Sequence, residues 1–237
     1  MPARRDIALN YDPGLQPIIT AAAWGFFACA AILACQFGLI ITLIPLLQAA
    51  ARDDWASVLP ALNASPWPFL LTKLNFLAMR CLYVVSVLGF GAACWRGHKS
   101  AALAMAGFTV VSLPISLLCQ ASELQLLKLA QSYAAATTAL VRATIMLQAS
   151  TLYGTAEAGD IFVNLVPFNG VLIAWLLIAR RPPHPRWLAW VIGMMIILPA
   201  GRAFGHPMLG LANMLPAELV LLYMGSFMRR LRPLAAN

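Results

Sequence analysis

LLTKLNFLAMRCLYVVSVLGFGAAC, residues 70–94, governs how the rest of the chain is read. It is apolar enough to cross a bilayer as a helix, which takes about 20 residues at 1.5 Å each, yet it carries Arg80 near its middle. On insertion scales a central arginine costs roughly 2.5–3.5 kcal/mol, so a charge at that depth is kept where a partner or a wet cavity receives it. Lys73 lies two turns earlier on the same helical face. The question for the remaining residues is what these two cations meet.

Composition agrees with a membrane setting. Hydrophobic residues make up 62% and charged residues 10% of the 237, with a mean hydropathy of +0.80, against about 45–50% apolar and about 25% charged in soluble domains. The chain reads as an all-α, polytopic transmembrane helix bundle forming a single integral membrane domain over residues 1–237. The net charge of +8 does not mark a nucleic-acid surface. Its arginines cluster at the ends of apolar runs (Arg4–Arg5, Arg96 with Lys99, Arg180–Arg181 with Arg186, Arg229–Arg230 with Arg232), where they set orientation and favour anionic headgroups. Membrane lipids are therefore the expected partners, and nucleic acid is not. Five cysteines fall in or beside apolar runs without a CxxC, and His98, His184 and His206 occupy separate connections, so neither metal nor cofactor is expected.

Apolar runs bounded by charges or Pro/Gly breaks predict spans at 18–47, 69–94, 101–119, 161–179, 187–203 and 209–228, with 130–152 in question because Arg142 sits at its centre. The first run exceeds the roughly 7–15 apolar residues of a signal peptide, so it is retained as a span. If 130–152 crosses, there are seven spans and the basic loop and tail around Arg186 and Arg230 lie outside. If it does not, there are six, and every basic cluster and both termini face the cytoplasm, which the positive-inside bias favours. Six spans are preferred. Residues 121–159 then form a long external connection, expected to be an amphipathic helix on the outer leaflet, and the acidic 50–68 loop with Asp53 and Asp54 is also outside. Asn63-Ala64-Ser65 in that loop matches a glycosylation sequon and carries little weight beside Pro66.

Depth along the spans brings Arg80 and Glu218 to one level, and these form the obvious pair, with Pro216 freeing a backbone carbonyl nearby. Gln36, Lys73, Asn164, Asn169 and Asn213 fall mostly in the outer half and complete an expected pocket that opens outward. Ser112 and Ser116 bracket Pro114, while Glu157 and Asp160 are expected in surface pairs with Arg202 or His206. Three functions fit these residues: binding or translocating a lipid or small amphiphile; an intramembrane enzyme in which Glu218 is acid or base toward an apolar, isoprenoid-like substrate; and a structural or partner-binding subunit with no pocket, in which Arg80 and Glu218 would only fix helix register. Pairing with Arg80 keeps a carboxylate ionised, which opposes the acid role.

The run NGVLIAWLLIARRPPHPRWLAWVIGMMIILPAG (169–201) and the ending LPAELVLLYMGSFMRR (215–230) resemble the domain-of-unknown-function 4386 family. The matching residues are Pro185, Arg186, Trp187, Leu188 and Glu218, with Tyr223 and Gly225 looser, and they cover the last third of the chain. The resemblance implies a six-helix bacterial inner-membrane protein and no particular activity.

Overall fold

The computed structural model describes residues 7–9, 11–178, 185–203 and 212–233. After strand β1 (Ile7–Leu9) and a 3-10 turn at Pro13–Leu15, the helices are α1 (Gln16–Ala51), α2 (Trp55–Ala64), α3 (Trp67–Cys94), α4 (Lys99–Ala135), α5 (Ala139–Val163), α6 (Asn169–Ile178), α7 (Arg186–Ala203) and α8 (Met214–Met228), followed by strand β2 (Leu231–Pro233). A π-helical turn at Asn164–Phe168 joins α5 to α6 without a break. The fold is an all-α bundle. Among the described residues four helices are long and apolar enough to cross a membrane, with α8 a shorter apolar helix.

The bundle is apolar outside as well as inside. Leu118, Val85 and Ile197 are 67%, 62% and 69% exposed, a distribution that water would penalise and hydrocarbon would not. Inside, Phe26, Phe90, Trp175 and Met224 are sealed in the main core. Helices α1 and α3 approach each other closely. A Cβ on Gly89 would lie 2.6 Å from the Ala22 Cβ, and one on Gly25 would lie 2.1 Å from the Ser86 hydroxyl, so small residues facing small residues let these backbones close up.

Two expectations about the middle of the chain are corrected. The third span does not stop at Cys119: α4 runs on to Ala135, because the ELQLLKLAQ segment keeps an apolar face, with Leu126 and Ala130 buried, and contains no breaker. Residues 121–159 are accordingly two antiparallel helical segments, not one helix lying on the outer leaflet. Extended backbone at Ala136 and Thr138 reverses the chain, and the Thr138 hydroxyl accepts from the Val141 N–H at 3.3 Å to start α5. The run 130–152 therefore contains a turn and is no single span. At 1.5 Å per residue α4 is about 55 Å long, well beyond the roughly 30 Å hydrocarbon layer. Its distal part and that of α5 close over a second core with α2, built on Trp55, Leu59, Leu62, Leu126 and Ile145.

The first and last described strands meet. β1 and β2 pair in parallel, Ile7 opposite Leu231 and Leu9 opposite Pro233. Arg96, in the turn between α3 and α4, lies 3.6 Å from Asp12, which brings that turn to the same end of the bundle. The α4–α5 turn is at the other.

Candidate functional site: a polar cavity inside the bundle

Helix α3 carries the site. Its inner face presents Thr72, Lys73, Phe76, Arg80 and Tyr83 at three- and four-residue intervals, while Leu74 and Val85 face outward. Opposite stands one stripe of α5 (Tyr153, Glu157, Asp160) continuing into Asn164 of the π-turn, with Gln120 and Glu123 of α4 beside it. Helix α1 contributes an aliphatic wall, Leu33, Ile40, Leu43, Ile44 and Leu47, and the third side is closed by Asn213, Met214, Ala217 and Leu221 at the start of α8. They line a partly open cavity of about 210 Å³.

Two ion pairs cross it. Lys73 Nζ lies 2.7 Å from Glu123 Oε2, the two side chains only 10% and 11% exposed, and the ammonium also sits 5.1 Å from the Phe69 ring centroid. Arg80 Nη2 lies 3.5 Å from Asp160 Oδ1 and donates to Asn164 Oδ1 at 3.2 Å. Asn164 is oriented for this by its own Nδ2, which donates to the Asp160 carbonyl at 2.7 Å. The guanidinium lies over the Phe168 ring at 5.8 Å. The π-turn positions both Asn164 and Phe168. Pro167 within it has no N–H to give to an α-helical ladder, and π-turns of this kind cluster at functional sites.

Of the residues expected in the pocket, the structure brings Arg80, Lys73, Asn164 and Asn213 together on the cavity wall. Gln36 and Asn169 are buried just off it. Gln36 Nε2 donates to the Thr72 carbonyl at 3.3 Å and ties α1 to α3, and Asn169 Nδ2 donates to the Leu165 carbonyl at 3.1 Å. The expected Arg80–Glu218 tie is not formed. Ala217 and Leu221 line the cavity but Glu218, between them on α8, faces elsewhere, and its Oε2 has no hydrogen-bond partner among the described residues. Asp160, expected in a surface pair, turns inward to Arg80. The Arg202 side chain and His206 lie outside the described residues. Arg142 caps the hairpin instead of entering the bundle: its Nε donates to the Ala136 carbonyl at 3.2 Å and its guanidinium stacks on Tyr133.

Glu123, Gln120, Tyr83 and Tyr153 were not anticipated. A signal for the acids was present: Gln120 and Glu123 are one turn apart, and Glu157 and Asn164 repeat the seven-residue spacing of Lys73 and Arg80. Three of the chain's eight acidic residues line this cavity, so the acids are concentrated where the buried cations are. Four further wall atoms, Thr72 Oγ1, Tyr83 Oη, Gln120 Oε1 and Asn213 Oδ1, are sealed without a hydrogen-bond partner among the described residues, a destabilising state for polar groups. No protein-family model matches the chain, and no curated protein or solved structure matches it.

Proposed function

We propose that this chain is a six-crossing protein of a bacterial inner membrane that binds or moves a lipid or small amphiphile in the cavity around Arg80. The observation that carries this reading is the cavity's two-sidedness: the aliphatic stripe of α1 faces Lys73, Arg80, Glu123 and Asp160 across a space within the bundle. A purely apolar ligand would leave that charged side unused, and a small ion would leave the aliphatic side unused. The pairing of β1 with β2 supports an even number of crossings. With α1, α3, α4, the α5–α6 rod, α7 and α8 as crossings, the count is six. The basic residues near the chain ends set their side as cytoplasmic. Counting at 1.5 Å per residue from the α3–α4 turn, Arg80 is about 20 Å into the bundle and Lys73 about 10 Å beyond it, so the cavity extends toward the external side. The resemblance of the last third to the domain-of-unknown-function 4386 family belongs to this reading.

A diazirine-bearing alkyl chain, incorporated in vesicles with the protein and activated by light, tests the reading. Labelling is expected on the cavity face of α1, at Leu33, Ile40 and Leu43, and is expected to fall on addition of excess unlabelled amphiphile. Labelling confined to the outward-facing Phe37 and Ile41, unaffected by competitor, overturns it.

A further inference from the structure

We infer that the amphiphile's polar end is an anionic oxygen group, a carboxylate or a phosphate, held by the unengaged side of the Arg80 guanidinium; this rests on the reading above. A guanidinium carries donors on all three nitrogens in a rigid planar fork. In Arg80 only Nη2 is engaged, by Asn164 and Asp160. Nε and Nη1 donate to nothing among the described residues, and neither is sealed in the way that Gln120 Oε1 and Tyr83 Oη are. The side chain is 15% exposed, and that exposure is to the cavity, since Arg80 is one of the residues lining it. The Phe168 ring sits beside the guanidinium, leaving the cavity side as the route of approach.

The other cation among these lining residues, Lys73, does not compete for this role. Lys73 is held at 2.7 Å by Glu123 and has Phe69 beside it, whereas the contact of Arg80 with Asp160 is a looser 3.5 Å. Each two-donor edge of a guanidinium includes Nη2, and Asn164 takes only one of its two hydrogens, so one edge stays open to an anion that presents two oxygens side by side, as carboxylates and phosphates do wherever arginine reads them. The cavity continues from Arg80 along the aliphatic stripe of α1, so one molecule with an anionic head and a hydrocarbon tail meets both walls. Asp160 and Asn164, on the engaged side, hold the guanidinium in place and set its plane.

Equilibrium binding to the purified full-length protein in neutral detergent separates the possibilities, using palmitate, hexadecanol and hexadecylammonium, which share a chain and differ in head, together with inorganic phosphate. Palmitate is expected to bind at least about tenfold more tightly than hexadecanol, and Arg80→Lys, which keeps the charge and loses the fork, is expected to remove about tenfold from palmitate affinity while leaving hexadecanol unchanged. Equal binding of palmitate and hexadecanol by the wild-type protein overturns the anion assignment and leaves the amphiphile reading standing. Tightest binding of hexadecylammonium overturns the assignment too. Phosphate binding with no palmitate binding supports the anion site and overturns its lipid source. If none of the three amphiphiles binds, the reading beneath the assignment fails. The head-group comparison is made on the wild-type protein, so it decides the matter even if Arg80→Lys does not fold.

Discussion

Lys73 and Glu123 are each about nine-tenths buried and 2.7 Å apart, so losing one partner leaves the other charge stranded. Lys73→Met is expected to destabilise the protein by about 3–5 kcal/mol, and the double change Lys73→Met with Glu123→Met to restore most of that, as read by reversible unfolding in mixed micelles. Arg80 gives a sharper comparison. A double-mutant cycle of Arg80→Gln with Asp160→Asn is expected to show coupling of about 1 kcal/mol, whereas the cycle with Glu218→Gln is expected to be additive within about 0.5 kcal/mol. The reverse ranking would mean that the guanidinium points to α8. Arg80 and Glu218 show what can be read at this scale. Hydropathy and the rise per residue give an expected depth, and Arg80 lies on a cavity wall with other polar groups. Which way a helix is rotated is decided by packing with its neighbours, and an all-apolar exterior leaves almost no periodic trace of it. Glu218 therefore lies between two cavity-lining residues, Ala217 and Leu221, without lining the cavity itself.

At the scale of elements, small residues let α1 and α3 approach closely. Gly89→Val would drive a side chain into Ala22, whose Cβ would stand 2.6 Å from the new Cβ. A loss of about 1–3 kcal/mol is expected from overpacking, checked by the same unfolding measurement, and an unchanged stability would show that the helices part without strain. The turn of the α4–α5 hairpin makes a smaller prediction. Thr138 caps α5 with its hydroxyl, so Thr138→Ala is expected to cost about 1 kcal/mol. The helices over 18–47, 69–94 and 187–203 were legible because each is a long, mainly apolar run ended by charge or by Pro and Gly. The hairpin was not. Glu123, Lys128 and Arg142 dilute its hydropathy, and its helices gain stability from covering α2, a tertiary contact with no local signature.

Across the whole molecule, the parallel pairing of β1 with β2 brings the chain ends together, and the α4–α5 turn lies at the opposite end. Reporter tags at residue 98 and at the carboxyl terminus are expected on one side of the membrane and a tag at residue 137 on the other; tags at 98 and 137 on the same side would break the proposed topology. The central claim is that a polar cavity runs from mid-depth toward the side away from the chain ends, and cysteine accessibility on α8 tests it most directly. In a background with Cys29, Cys35, Cys81, Cys94 and Cys119 replaced, Ala217→Cys faces the cavity, whereas Leu219→Cys, 51% exposed, faces the surrounding hydrocarbon. A charged, membrane-impermeant thiol reagent supplied from the side opposite the chain ends is expected to modify the cysteine at 217 and to spare the one at 219. Equal protection of both positions, or modification at 217 only from the side of the chain ends, would contradict the account.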